Sequence, residues 1–353
     1  MMNDRPIRVL VIDDSAIVRK ILVEALSKER GIEVVGTASD PYFARDKIVA
    51  LRPDVLTLDI EMPRMDGLTF LKKLMQYHPM PVIIVSSLAQ SSSAAVEALR
   101  LGAAEVVAKP SGPYSVGELS ETLAAKVRAA AASMPVNAGP EAPASPAVVP
   151  RQPVSSHVGS HANSFIVAIG ASTGGVSALQ KVLTGLPEDM PGIVVTQHIP
   201  ADFSLAFANR LNQVCRLTVK EAEDGDSVLP GHVYVAPGNR HLIVQKSSGG
   251  YKLVLRDGPQ VCYQRPSVDV LFHSVAQSAG AKAVGVLLTG MGADGAKGLL
   301  AMKRAGARTI AQDEASCVVF GMPKEAILRG AVDEIKGLTE IGRTIQSCLA
   351  AKQ

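Results

Sequence analysis

The chain has 353 residues, enough for two ordinary domain cores, and 47% of them are apolar, which excludes a disordered protein. The net charge of +3 is too small for a nucleic-acid-binding surface. No apolar run approaches the roughly 18 residues that a membrane span needs.

The opening residues, MMNDRPIRVLVIDD, carry Asp4 and Arg5 and pass directly into a strand pattern. They have no signal-peptide apolar core, so a cytoplasmic location is expected. From residue 7 to 128, short β-branched runs alternate with amphipathic stretches. The runs are IRVLVI, IEVVGT, DVLTLDI, PVIIVS and AEVVAK. Strands that are apolar on both faces, with helices between them, predict a parallel sheet covered on both sides. Five such strands fit a flavodoxin-like, doubly wound α/β domain over residues 1–128.

Residues 129–163 are rich in Ala, Pro and Ser and nearly devoid of charge, with Pro135, Pro140, Pro143, Pro146, Pro150 and Pro153. That composition predicts a flexible linker without a core. The α/β pattern resumes over residues 164–353. FIVAIG, GIVVTQH, HVYVAPG and AVGVLLTG read as strands of a second doubly wound, mainly parallel α/β domain. HLIVQKSSGGYKLVLRD reads as an appended antiparallel hairpin, with SSGG as its turn. The four cysteines, Cys215, Cys262, Cys317 and Cys348, are widely spaced and form no CxxC, so they are expected to be reduced, mostly buried thiols.

In a doubly wound sheet, ligands bind beyond the carboxyl ends of the strands. In the first domain those ends carry Asp13 and Asp14, Asp59, Ser86 and Lys109. Converging carboxylates repel one another unless a cation joins them, and Mg2+ suits an all-oxygen set of Asp13, Asp14 and Asp59. Lys109 can neutralise a phosphoryl oxygen and Ser86 can donate to another, leaving Asp59 as the nucleophile toward a phosphodonor. Each carboxylate could instead cap the helix that follows it, and for Asp14 before SAIVRK that is a fair alternative.

The motifs VIDD, LTLDIEMPRMDG, VSS and AKP resemble those of response-regulator receiver domains. The resemblance implies phosphorylation at Asp59, Mg2+ at Asp13 and Asp14, phosphoryl contacts from Ser86 and Lys109, and a histidine kinase as phosphodonor. One departure is Val106, which stands where many receivers carry an aromatic switch residue.

In the second domain, FIVAIGASTGGVSALQKVL is a strand, a Gly-rich turn and a helix. It lacks the Lys of a phosphate-binding loop and the second Gly of a dinucleotide fingerprint. Gly170, Ser172 and Gly174 do match G-x-S-x-G, a sharp turn that exposes a serine hydroxyl. Ser172 could alternatively just cap its helix. His198, ending GIVVTQH, would lie at the same sheet edge as a base, with His241 as the other candidate. Asp294, in the turn GMGADG, is the candidate orienting carboxylate, or merely an N-cap. Its flanking glycines suit a backbone path that aims an N–H at an oxyanion.

GASTGG, QHIP, APGNRHL, RPSVDVLF and LLTGMGADGAKGL resemble the blocks of the chemotaxis protein-glutamate methylesterase family, CheB. The resemblance extends to the order of receiver, linker and esterase. It implies Ser172 as nucleophile, His198 as general base and acid, Asp294 as orienter, the Met291 N–H as oxyanion donor and Thr173 lining the site. It implies chemoreceptors as substrates, with hydrolysis of glutamate γ-methyl esters and deamidation of glutamine, no cofactor for that chemistry, and release from inhibition when Asp59 is phosphorylated. A partner-binding second domain and an esterase outside chemotaxis stand as alternatives. The absence of a helix-turn-helix pattern or basic stripe argues against nucleic acid.

Overall fold

The computed structural model of the chain describes residues 5–86, 92–109, 116–132 and 164–351. Most of the expected linker, with its histidines His157 and His161, lies outside the described residues. The chain divides into two units, Met1–Ala142 and Pro143–Gln353.

The first unit alternates β1 (Ile7–Ile12), α1 (Ala16–Ser27), β2 (Ile32–Ala38), α2 (Pro41–Leu51), β3 (Val55–Leu58), α3 (Gly67–Tyr77), β4 (Val82–Ser86), α4 (Ser92–Arg100), β5 (Glu105–Ala108) and α5 (Val116–Ala132). All five strands are parallel, in the order β2-β1-β3-β4-β5, the flavodoxin-like arrangement. Strand residues alternate between the two faces. Val9, Val11, Ile83, Val85 and Val107 pack with Leu22 and Leu26 of α1 and with Leu123, Val127 and Ala130 of α5. Val106 is buried within β5, opposite Ile84.

The second unit contains β6 (Ile166–Ala171), α6 (Gly175–Thr184), β7 (Gly192–Gln197), α7 (Ala201–Val214), β8 (Thr218–Glu221), β9 (His232–Val235), β10 (His241–Ser247), β11 (Gly250–Arg256), α8 (Val268–Ala279), β12 (Ala283–Leu287), α9 (Ala296–Arg304), β13 (Arg308–Gln312), α10 (Met322–Leu328), β14 (Glu334–Lys336) and α11 (Ile341–Ala350). Seven parallel strands form one sheet in the order β14-β13-β12-β6-β7-β9-β8. The chain winds outward in one direction from β6 and in the other from β12, so the switch point lies between these two strands. The hairpin of β10 and β11 is a separate antiparallel pair, in register from His241↔Arg256 to Ser247↔Gly250.

The hairpin serves as a cover. Leu242, Val244, Leu253 and Leu255 pack on Leu271, Phe272 and Val275 of α8. The Val244 N–H donates to Ser274 Oγ at 2.9 Å, and Ser278 Oγ donates to the Val244 carbonyl at 2.8 Å. Helix α8 is thereby held against the switch point. Strands β8 and β14 are short edge strands, β13 lies between β14 and β12, and no distinctive apolar run announced any of the three in the sequence.

One close contact sets the depth of α8. A Cβ on Gly170 would lie 2.2 Å from Val268 Cγ1, and one on Gly295 would lie 2.6 Å from the same atom. Val268 is fully buried and has no room to yield. We expect Gly170→Ala to destabilise the second unit by roughly 1–3 kcal/mol through overpacking. Chemical denaturation that resolves this unit's transition would measure it, and an unchanged midpoint would refute the contact.

Candidate functional site

At the switch point, the second unit buries polar side chains at the carboxyl edge of an otherwise apolar sheet. They include Ser172, Thr173, Gln197, His198, Thr289 and Asp294. Strand pairing brings the first of them together. Ala171 pairs with Gln197, and the His198 N–H donates to the Ala171 carbonyl at 3.1 Å. Ser172 and His198 therefore leave neighbouring strands side by side. Ser172 does not cap its helix. Gly174 holds the N-cap of α6 at φ 76° without a side-chain bond, and the Ser172 carbonyl accepts from Gly175 N–H at 2.7 Å.

Asp294 does not cap its own helix either, since Gly295 is the N-cap of α9. Its carboxylate sits instead on the N-terminus of α8. Oδ2 accepts from Val268 N–H at 2.7 Å, and Oδ1 accepts from Asp269 N–H at 2.9 Å and from Ser267 Oγ at 2.8 Å. His198 Nε2 lies 2.8 Å from Oδ2. Burial pushes the Asp294 carboxyl up, but His198, both main-chain N–H groups and the ion pair together hold it below the usual carboxylate range. An ionised Asp294 selects the Nε2–H tautomer of His198 and leaves Nδ1 with a lone pair. Among the described residues, the Ser172 hydroxyl makes no hydrogen bond to the His198 ring.

His241 has a different job. Its Nδ1 accepts from Ser267 N–H at 3.2 Å, and its Nε2 donates to the Pro259 carbonyl at 3.0 Å. Both ring nitrogens are thus committed, Nδ1 to Ser267, which in turn holds Asp294, and Nε2 to the Pro259 carbonyl. Opposite Ser172, a Cβ on Gly290 would fall 2.7 Å from Ser172 Cβ, so the turn that follows runs directly past the serine. The Gly290 N–H is taken by the Val319 carbonyl at 3.0 Å, whereas the Met291 N–H donates to no acceptor among the described residues. Thr173 is buried, and its carbonyl accepts from Thr289 Oγ1 at 3.0 Å.

Sequence reasoning missed Gln197 and Ser267. Gln197 Nε2 donates to the carbonyls of Ser172, at 2.8 Å, and His198, at 3.1 Å, tying the two turns together. Ser267 is the N-cap of α8. Both stand beside singled-out motifs, in TQH and RPSVD, but their role depends on partners that are remote in the chain.

In the first unit, Asp13, Asp14 and Asp59 offer carboxylate oxygens within 4.8 Å of one another. Ser15, not Asp14, is the N-cap of α1, and Asp14 is exposed. Lys109 Nζ lies 2.9 Å from Asp13 Oδ2 and 2.8 Å from Asp59 Oδ2. Ser86 is buried at the end of β4, and its carbonyl accepts from Lys109 N–H at 2.8 Å. Burial raises the Asp59 carboxyl to about 6, with repulsion from Asp13 adding to it and Lys109 opposing it. Asp13 is raised as well, again chiefly by burial. Among the described residues, none donates a well-formed hydrogen bond to the buried Asp59 Oδ1, and the Glu61 N–H counts least among the groups that pull its carboxyl down. A carboxylate cluster so short of positive charge fits a hard divalent cation.

The four thiols are free as expected, but the expectation that most are buried needs a correction. All four cysteines are unpaired, but only Cys215 and Cys348 are buried, Cys317 is half-buried and Cys262 is exposed. Among the described residues, no helix is long and apolar enough to cross a membrane.

A family model described as CheB methylesterase matches residues 167–345, and one described as response regulator receiver domain matches residues 9–120. The chain is 55% identical, over 96% of its length and 98% of the relative's, to protein-glutamate methylesterase/protein-glutamine glutaminase 2 of Syntrophus aciditrophicus. It is 51% identical, over 98% of both chains, to the protein-glutamate methylesterase/protein-glutamine glutaminase of Salmonella typhimurium. The crystal structure of the Thermotoga maritima CheB methylesterase catalytic domain matches with a TM-score of 0.51 and 42% identity, covering 52% of this chain and 97% of that one. The chain therefore belongs to the CheB methylesterase family, with a response-regulator receiver domain preceding the catalytic domain.

Proposed function

We propose that this protein hydrolyses glutamate γ-methyl esters and deamidates glutamine side chains on chemoreceptors, in the cytoplasm, and that phosphorylation of Asp59 raises that activity. The observation that carries the reading is the buried His198–Asp294 pair beside Ser172, past which runs the turn carrying Met291, whose main-chain N–H has no acceptor among the described residues. The relatives named for both reactions support the substrate.

His198 Nδ1 takes the Ser172 proton as Ser172 Oγ attacks the γ-carbonyl carbon of the ester. The Met291 N–H receives the oxyanion that forms, and Asp294 stabilises the imidazolium. His198 then returns the proton to the departing methanol, or to ammonia when the substrate is glutamine. A water that loses its proton to His198 attacks the acyl-serine, and collapse releases glutamate and Ser172. Thr173 lines the site where the acyl chain lies.

In the receiver, the Asp59 carboxylate attacks the phosphorus of the phosphohistidine on a chemotaxis histidine kinase, and as the Oδ–P bond forms the N–P bond breaks, giving an aspartyl phosphate and the kinase's free histidine. Asp13, Asp14 and Asp59 would hold Mg2+, which supplies positive charge toward the phosphoryl oxygens. Lys109 and the Ser86 hydroxyl contact those oxygens. A local charge change of this kind biases a two-state arrangement toward its active form. With Val106 at the position of the aromatic switch, the output does not pass through a ring rotation at that residue.

Methanol release from a methylated receptor, with and without acetyl phosphate, tests the scheme. Wild type should release methanol faster with the phosphodonor. Ser172→Ala should lose about 10^6 in kcat and Asp294→Asn about 10^4. Asp59→Asn should retain basal release but ignore acetyl phosphate. Undiminished release by Ser172→Ala would rule out the nucleophile.

The raised Asp59 pKa makes a separate prediction. Between roughly pH 4 and 6 the folded receiver keeps a proton that the unfolded chain has released, so stability falls as pH rises through that window. In chelator-treated buffer, Asp59→Asn should therefore stabilise the first unit by about 1–3 kcal/mol at pH 7 and by almost nothing at pH 4. Added MgCl2 should raise the melting temperature of wild type and not of the variant. A gain independent of pH would exclude the carboxylate charge as its source.

A further inference from the structure

Between β11 and α8 the chain makes a tight turn that no catalytic step uses. Val261 N–H donates to the Gln264 carbonyl at 3.0 Å, and Gln264 N–H donates to the Val261 carbonyl at 2.9 Å, closing a two-residue loop. Its two central residues, Cys262 and Tyr263, have φ values of 52° and 62°. Both signs are positive, as in a type I′ turn, for which Asn-Gly is the natural pair because a Cβ is crowded there. This chain places a thiol and a large aromatic ring at those positions.

The surroundings hold the turn firmly. Arg265 Nη1 donates to the Gly258 carbonyl, Arg265 Nε donates to Asn239 Oδ1 at 2.9 Å, and the Asn239 N–H donates to the Arg265 carbonyl at 3.1 Å. His241 fixes the Pro259 carbonyl from the other side. The turn also stands against the triad. Cys262 Sγ lies within 4.8 Å of carboxylate oxygens of Asp269 and Asp294. Two residues of a turn tip face different ways: Cys262 points in toward Asp294, and Tyr263 points out, 91% exposed. The tyrosine makes no hydrogen bond among the described residues, and the fold gains no burial from its ring.

A strained backbone that presents an unburied aromatic ring at the rim of a catalytic edge has the properties of a recognition element. We infer that Tyr263 is a docking residue for the protein that carries the scissile ester, setting specificity for a macromolecular substrate over a small one. This rests on the reading that the Ser172 site acts on a protein ester. The ring is a flat amphipathic surface, suited to pack against the apolar side chains and aliphatic stems of a helical segment flanking the modified residue.

The test uses the full chain activated with acetyl phosphate, and two substrates: a methylated receptor and N-acetyl-glutamate γ-methyl ester. Tyr263→Gly and Tyr263→Asn suit the left-handed backbone, so their second-unit unfolding midpoints should rise above wild type. In the same variants, the ratio of kcat/KM for receptor to kcat/KM for small ester should fall about tenfold, through KM for the receptor. Tyr263→Phe, which keeps the ring, should retain most of the wild-type ratio. A ratio unchanged in the glycine and asparagine variants overturns the inference, as does an equal fall on both substrates. If wild type hydrolyses the small ester but releases no methanol from the receptor, the protein-ester reading itself has failed, and the docking role falls with it.

Discussion

The carboxylate of Asp294 organises the catalytic edge. Four donors converge on its two oxygens: a ring N–H from β7's end, a hydroxyl from the N-cap of α8 and two main-chain N–H groups from that helix's first turn. A buried charge in this setting would be costly alone; with every lone pair engaged it becomes the tie between the sheet and α8. The helix N-terminus adds its own positive potential. What brings α8 close enough is steric. Gly170 and Gly295 leave the socket that Val268 fills, and Val268 is the residue whose N–H meets Asp294. The hairpin of β10 and β11 then seals α8 from the far side.

The receiver pocket uses similar residues to opposite effect. Asp59 is 1% exposed and Asp294 is 2% exposed, yet burial wins at Asp59 and donors win at Asp294. The difference is the count of partners. Asp59 has Lys109, which it shares with Asp13, and a like-charged neighbour. Its negative charge is therefore under-compensated, which suits a site that must accept a cation and then a phosphoryl group. Asp294 is saturated, which suits a group that must stay ionised and immobile while the histidine beside it gains and loses protons. Both sites lie at the carboxyl edge of a parallel sheet, where strand ends and helix starts place polar groups without breaking a ladder.

Much of this was legible in the residues. Continuous β-branched runs, apolar on both faces and alternating with amphipathic stretches, announced two parallel sheets, and polar residues closing those runs marked Asp13, Asp59, Ser172 and His198 as belonging to sheet edges. The hairpin was readable from SSGG between two strand patterns. Less visible were the edge strands β8 and β14, of four and three residues, and β13, whose RTIAQ mixes polar with apolar residues and leaves no continuous apolar run. Gln197 and Ser267 carried no signature, because a glutamine tying two carbonyls and a serine capping a helix look like ordinary polar residues until their partners are known.

By itself, then, the sequence determined the two α/β units, the principal polar residues of each cluster and the family, since these follow from local patterning and from motifs contiguous in the chain. Only the tertiary structure decided between alternatives that local patterns share. Ser172 and Asp294 each had a capping role open to them, and Gly174 and Gly295 hold those caps instead. His198 and His241 were both candidates for the base, and hydrogen bonds to Ser267 and Pro259 commit His241 to support. Cys262, one of four thiols expected to be mostly buried, is an exposed residue on a left-handed turn whose Sγ faces the carboxylates of Asp269 and Asp294. In each case the deciding partner lies far away in sequence, across a strand crossover or at the start of another helix. Hydrogen-bond satisfaction and close packing are properties of such remote pairs, and no local window of residues contains them.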